Sequence, residues 1–204
     1  MVEKSEKYKQ KKQLIIETAA SEFARKGFYS TAIGDIAKLA GIGKGTIYEY
    51  FSSKEDLFFS VFEWMNEEMK AAARVSIEAL GETAAGRLRI FNRVFVEAFN
   101  ELKDMYTLTL EFWSAAAASP MRERFQAAFR RIYAEFREMV AAIIEEGIKS
   151  GEFRSDADSR KLAAALVGTC DALGLQAWFE ADFDLAGVSR EFLETVIKIG
   201  RAHV

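Results

Sequence analysis

Thr31 to Lys54, TAIGDIAKLAGIGKGTIYEYFSSK, is the stretch that most restricts what this chain can become. Ile33, Ile36, Ala37 and Ala40 recur at helical spacing, then Gly41 breaks the run. Ile42 follows as an apolar residue inside a turn, and a second short helix fits Gly43 to Tyr50, closed by Phe51. Thr31 is placed to cap the first of these helices. Two short helices meeting at a steep angle need a small contact residue, a tight turn and an apolar plug. Ala37, Gly41 and Ile42 supply them in that order, so the stretch reads as a helix-turn-helix.

The flanking sequence asks for more helices. One Pro in 204 residues, with half of the residues hydrophobic and 17 Phe, suits an all-α chain with a large aromatic core. A first helix is expected from about Lys9 to Lys26, stopped by Gly27, after a disordered Lys/Glu-rich start. A fourth follows Ser52-Ser53 and carries Phe58, Phe62, Met65 and Met69 on one face. Composition shifts at Gly81, and a fifth helix with Leu88, Phe91, Phe95, Phe99 and Leu102 in a stripe begins near Gly86. Tyr106 to Ala118 is a sixth, Ser119-Pro120 a boundary, and a seventh runs to Gly151. An eighth, capped by Asp156 or Asp158, reaches Ala181, and a ninth ends near Gly200. No period-2 run bounded by turns suggests a strand. The expected division is a three-helix head over 1–54 and a helical body over 55–204.

Charge divides the same way. Residues 1–54 hold ten Lys or Arg against six Asp or Glu, a net +4, which leaves −7 for the rest of a chain whose total is −3. A basic head on an acidic body fits a head that meets phosphate and a body that does not. Leu162 to Phe179 is long and apolar enough to be weighed as a membrane span, but it is rich in Ala, Gly and Thr and carries Asp171. A buried interface helix and a cytoplasmic protein are the expectation. Cys170 is the sole cysteine, so neither an intrachain disulfide nor a cysteine metal cluster is available.

The chemistry of the opening stretch follows from its residue types. The N-terminus of a recognition helix enters the major groove and has to be small there. Gly43-Lys44-Gly45-Thr46 lets the backbone approach, Lys44 can donate to guanine O6 or N7, and Thr46 can touch a base or phosphate. Tyr48 and Tyr50 can donate to phosphates, Lys54 can add a charge contact, and Thr31 can bond phosphate besides capping.

Gly27-Phe28, Thr31, Asp35-Ile36-Ala37, Ala40-Gly41-Ile42, Gly45-Thr46-Ile47-Tyr48, Tyr50-Phe51, Ser53-Lys54-Glu55 and Leu57 together resemble the N-terminal domain of TetR-family transcriptional regulators. The resemblance spans about Leu14 to Val61. Gly43 and Gly34 depart from it, standing where members carry a capping or base-contacting side chain. The resemblance implies a homodimeric repressor that reads a near-palindromic operator, whose C-terminal body binds a small molecule and so changes the spacing of two heads. It implies no cofactor and no metal.

In the body, Ala164, Gly168 and Ala172 recur at i, i+4 and i+8, and Phe192, Val196 and Ile199 form a stripe on the last helix. Two such helices from each subunit would make a four-helix bundle, the interface the resemblance also implies. The effector pocket is expected within helices five to eight. Its aromatic candidates are Phe95, Phe99, Tyr106, Phe112, Trp113, Tyr133, Phe136 and Trp178, with Asp171, Glu111, Cys170 and Gln176 as polar residues among them. Glu111 to Ala116 and Gly147 to Phe153 are similar to the choline-responsive, BetI-like branch, which would imply a carboxylate and aromatics around a cation. An apolar or amphipathic effector is the stronger expectation.

An enzyme is the weaker reading. His203 is the only histidine, and Asp156-x-Asp158 and Asp182-x-Asp184 are better explained as helix starts and turns than as metal pairs. The alternatives to a repressor are an activator of the same fold and a helical interaction module without DNA binding. The module would leave the Gly-Lys-Gly-Thr and Tyr-x-Tyr-Phe pattern unexplained.

Overall fold

Gly27, Gly41 and Gly151 carry the three positive φ angles among the described residues, +79°, +67° and +76°, and each ends a helix where the sequence places a stop. The structure, a computed structural model, describes residues 2–80 and 83–201, and the side chains of all of these but 2–5, 76–80, 102 and 104. Gly81, the Leu102 side chain and His203 lie outside the described residues. Between the stops run α1 (Val2–Lys26), α2 (Ile33–Leu39), α3 (Lys44–Tyr50), α4 (Lys54–Leu80), α5 (Ala84–Leu102), α6 (Tyr106–Ala118), α7 (Arg122–Lys149), α8 (Ser159–Phe179) and α9 (Leu185–Gly200). The fold is all-α, with one isolated bridge between Phe153 and Arg201 among the described residues.

Two ends differ from the sequence reading. Helix α1 begins at Val2 rather than Lys9, and contacts made at Tyr8 and Lys12 hold the stretch around the expected start. Tyr8 stacks on Tyr50 with ring centroids 4.5 Å apart, and the Lys12 ammonium lies 5.7 Å from the Phe51 ring. Helix α2 is capped by Ala32, without a side-chain bond, and not by Thr31. Helices α8 and α9 have caps of the kind the sequence favours. Asp158 accepts from the Lys161 amide at 3.0 Å, and Asp184 accepts from the Gly187 amide at 2.8 Å. Both aspartates of the suspected metal pairs that start helices are therefore caps, and no group of three metal-ligating side chains occurs among the described residues.

The chain gathers into two compact units, Met1–Glu67 with Asp104–Ala128, and Glu68–Lys103 with Phe129–Val204. The first is built on a phenylalanine cluster. Phe23, Phe58, Phe62 and Phe125 are each less than 2% exposed. Phe58 lies 4.5 Å from Phe28, 5.3 Å from Phe23 and 4.9 Å from Phe112, centroid to centroid. Such pairs add about 0.5–1.5 kcal/mol each beyond area burial. Helices α1, α2 and α3 and the start of α4 share this core with α6 and the start of α7.

In the second unit α5 packs along α9, and α8 packs on α9. Glu152 reaches back to accept from the amides of Ala84 and Ala85, which are otherwise open donors at the start of α5. Helix α8 is long and apolar enough to cross a bilayer by length and composition alone. Here it buries Ala163, Leu166, Val167, Leu173 and Ala177, and its Asp171 accepts a 2.5 Å hydrogen bond from the Tyr133 hydroxyl.

Helix α7 and the segment after it approach at Gly147. A Cβ there would stand 2.3 Å from a Phe153 ring carbon and 2.8 Å from the Ala84 Cβ. Gly147→Ala should therefore lower stability by about 1–3 kcal/mol through overpacking, read from the urea midpoint. Gly168→Ala, where no atom of the same subunit lies within 4 Å of the added carbon, should cost the packing within the subunit nothing.

Candidate nucleic-acid interface

Helix α3 is only two turns long, and what holds it is one face. Ile47 is fully buried and Phe51 is 2% exposed, so the helix is pinned from below. Lys44, Gly45 and Tyr48 lie on the opposite side and are exposed, Tyr48 at 49%. Thr46 and Tyr50 are half-buried. The N-cap is Gly43, extended at φ −71° and ψ 146°, and it offers no side-chain cap. Of the amides at this end, that of Thr46 donates to the Gly43 carbonyl at 3.0 Å. Around Gly34 and Gly45 no atom stands within 4 Å of a would-be Cβ, so the two short helices present bare backbone there. Lys38 and Leu39 on α2 are exposed, Leu39 at 60%.

Two of the expected contacts are structural instead. Thr31 is 1% exposed, and its hydroxyl donates to the Gly27 carbonyl at 2.8 Å and leans toward the Glu22 carbonyl at 3.3 Å. It neither caps α2 nor has a surface to offer phosphate. The Lys54 ammonium donates to the carbonyls of Phe28 at 2.8 Å and Thr31 at 3.0 Å, with Tyr29 at 3.4 Å, and lies 4.5 Å from the Phe28 ring centroid. Its three N–H groups are aimed at the loop between α1 and α2. It acts as a staple, which revises the expectation of a phosphate contact.

Glu111, on α6, was expected near an effector. Its two carboxylate oxygens both accept from the Phe28 amide at 3.0 Å. Burial pushes this carboxyl above its usual range, partly offset by the Phe28 amide and the Lys54 charge. Gly27 makes room for it: a Cβ at Gly27 would stand 2.9 Å from Glu111 Oε1. Sequence gave no sign of this contact, since the partners are 83 residues apart. A second polar group ties α1 to α2. Lys26 bonds Asp35 and buried Glu22, each at 3.0 Å, and Arg25 pairs with Glu22 as well. Burial acts to raise the Glu22 carboxyl, but the Arg25 and Lys26 hydrogen bonds outweigh it and hold it below the usual value.

The pocket candidates separate. Phe112 belongs to the phenylalanine cluster of the first unit, and Tyr106 and Trp113 are half-buried in the same unit. In the second unit Phe99 and Phe136 are buried, Tyr133 bonds Asp171, and Trp178 meets Phe179 edge-on at 5.0 Å. Burial raises the Asp171 carboxyl, with the Tyr133 hydroxyl opposing, and pushes the Cys170 thiol up to about 12, which leaves it no nucleophile. Phe95 lines a narrow cleft with Phe91, Asn92, Leu166, Cys170, Ser189 and Phe192. Of the interface candidates, Ala164, Gly168, Ala172, Phe192 and Ile199 are exposed, Ile199 at 65%, and Val196 is half-buried.

Lys54→Met should cost about 1–3 kcal/mol of unfolding free energy, because it strands two carbonyls. Lys44→Met, at an exposed end, should change stability by no more than about 0.5 kcal/mol. Equal urea midpoints for the two variants would refute the staple.

Comparison with known proteins accounts for this arrangement. Residues 15–61 match the family profile described as bacterial regulatory proteins, tetR family, and residues 84–198 match BetI-type transcriptional repressor, C-terminal. The chain is 32% identical over 147 residues to the HTH-type transcriptional regulator YhgD of Bacillus subtilis, covering 71% of this chain and 72% of that one. It is 29% identical over 199 residues, 97% of each chain, to the fatty acid metabolism regulator protein of the same organism. A TetR transcription regulator from Haloarcula marismortui shares the fold at a TM-score of 0.82 and 21% identity, over 94% of this chain and 98% of that one. The exposed α3 on its buried Ile47, the positive-φ glycine between two short helices and the helical body are the build of a family of transcriptional regulators, not of enzymes, and the chain belongs to the TetR family.

Proposed function

We propose that this chain is a homodimeric repressor, acting in the cytoplasm, that grips a near-palindromic operator through residues 1–54. It releases the operator when the body, residues 55–204, takes up an apolar or amphipathic small molecule. The observation that carries the reading is the exposed Lys44-Gly45-Tyr48 face of α3 above buried Ile47. A helix this short survives only by burying one face, and the opposite face is shaped to enter a groove. Lys44 is then the base-reading side chain, with Thr46, Tyr48 and Tyr50 on the backbone. Repression is supported by the BetI-type repressor description matched by the body.

The effector class rests on two supports. The relative that spans nearly the whole chain is named for fatty acid metabolism. The cleft lined by Phe91, Phe95, Leu166, Leu173 and Phe192 is apolar, with Asn92 and Ser189 as its polar pair, hydrogen-bonded at 3.2 Å. It has room for about one water molecule, so a ligand enters by moving aromatic side chains such as Phe95. A cationic effector gets less support, because Glu111 is committed to the Phe28 amide and Asp171 is held by Tyr133.

Dimerisation is assigned to the α8 and α9 face. Gly168 and Ala172 let a second helix approach closely, and Phe192 and Ile199 supply exposed apolar area beside them.

Random-site selection with the full chain should return a near-palindrome, bound with an affinity that falls steeply with salt. Lys44→Ala should relax base preference by about tenfold or more at one position per half-site, and a long-chain acyl compound should release the unaltered protein. No duplex recovered from the selection would refute the reading. Gly168→Glu puts a charge into open space within one subunit, so the subunit should fold normally. It should sediment as a monomer and bind the operator at least about 100-fold more weakly, since one head makes half the contacts.

A further inference from the structure

The cleft between α5, α8 and α9 lies within the second compact unit, and its lining holds no Lys, Arg, His, Asp or Glu. Leu and Phe make most of that lining. The four remaining residues, Asn92, Thr169, Cys170 and Ser189, are polar or weakly polar. Thr169 donates its hydroxyl to the Ala165 carbonyl at 2.8 Å, within its own helix. Burial keeps the Cys170 thiol protonated. Asn92 and Ser189 are therefore the main polar groups of the cleft.

Ser189 is 2% exposed, and its hydroxyl oxygen accepts from the Asn92 amide at 3.2 Å. Its own proton leans toward the Ala186 carbonyl at 3.4 Å, a long bond. A primary amide has two N–H donors and one carbonyl acceptor. Asn92 gives one N–H to Ser189, and no other side-chain bond of Asn92 occurs among the described residues. One donor and one acceptor are thus unused on a residue that lines the cleft.

The ionisable side chains on the same three helices are engaged elsewhere or stand in solvent. Arg89 is held by both oxygens of Glu194, at 2.5 and 2.7 Å, and Arg93 pairs with Glu97 at 3.8 Å. Asp171 takes the Tyr133 hydroxyl, and Arg190 and Glu191 are exposed. A charged head drawn into the cleft would shed its water and meet no counter-charge. That costs far more than burying a neutral group that finds a hydrogen bond.

We propose that this cleft selects an apolar chain ending in an uncharged hydrogen-bonding group, an ester, amide or alcohol, and that Asn92, steadied by Ser189, holds that group. The inference rests on the effector reading above and narrows it to neutral heads. The Asn92 N–H meets a carbonyl or hydroxyl oxygen of the ligand, and the Asn92 carbonyl meets an N–H or O–H where the ligand has one. The chain lies among the Leu and Phe side chains. A free carboxylate and a quaternary ammonium are both excluded by the uncharged lining.

Calorimetric titration of the full chain with methyl decanoate, decanol, decanoate and decyltrimethylammonium compares four heads on similar chains. The ester and the alcohol should bind, and the two charged compounds should bind at least about tenfold more weakly. Asn92→Leu should weaken the ester and the alcohol by about tenfold and leave the charged compounds as they were, so that the preference disappears. Asn92→Leu with Ser189→Ala removes both partners together, and carries the test if the single variant folds poorly. Photo-crosslinking with a diazirine-bearing decanoyl ester should mark α5, α8 or α9. Binding of decanoate or of the ammonium as tight as that of the ester overturns the inference and leaves the effector reading standing. An ester preference that survives in the variants does the same. A crosslink confined to other helices overturns the inference and moves the effector out of this cleft. Binding by none of the four compounds overturns both.

Discussion

The loop between α1 and α2 sets the terms for everything around it. It turns at Gly27 and tucks Phe28 and Thr31 into the core, so its backbone groups leave water and need partners. Two side chains from distant points and one of the loop's own supply them. Glu111 takes the Phe28 amide, Lys54 takes the Phe28 and Thr31 carbonyls, and Thr31 takes the Gly27 carbonyl. Remove any of these and a buried polar group is stranded. The loop also fixes where α2 starts, and α2 in turn holds α3. The path from α6 to the recognition helix is therefore a chain of satisfied hydrogen bonds around one glycine, laid over a phenylalanine core.

That arrangement explains the motif better than DNA contact alone does. Thr31 and Lys54 belong to the pattern by which the family is recognised, yet here both face inward. Their side chains solve the folding problem of a head too small to bury its own loop. What α3 leaves exposed is smaller: Lys44, the bare backbone at Gly45 and the edge of Tyr48, the face we propose meets the groove. The side chains that fasten the loop and those left exposed on α3 are thus different, although they are interleaved within one run of sequence.

The body shows the same division between periodicity and partner. Apolar spacing on α8 and α9 marks both of their faces. Leu166, Leu173, Leu193 and Ile197 went inward, while Gly168, Ala172, Phe192 and Ile199 remain outside. Small residues alone could not have said which face was which, because Ala and Gly are at home in a core as well as in a contact. Aromatic spacing was no better a guide to a pocket. Phe112 and Phe95 look alike in sequence, but one closes the phenylalanine cluster and the other borders a cleft.

By itself the sequence determined the helical class, the places where helices stop, and the helix-turn-helix with its family. These are local matters: a glycine's access to positive φ, a 3.6-residue apolar period, and small residues at the head of a short helix. Tertiary structure alone decided that α1 begins at Val2, that buried Thr31 and half-buried Lys54 fasten the loop, and that Glu111 clamps the head. Each of those depends on two groups far apart in the chain competing for one partner. Tyr8 could not be expected to order a helix start until Tyr50 was beneath it, and nothing local to Glu111 points to an amide 83 residues away.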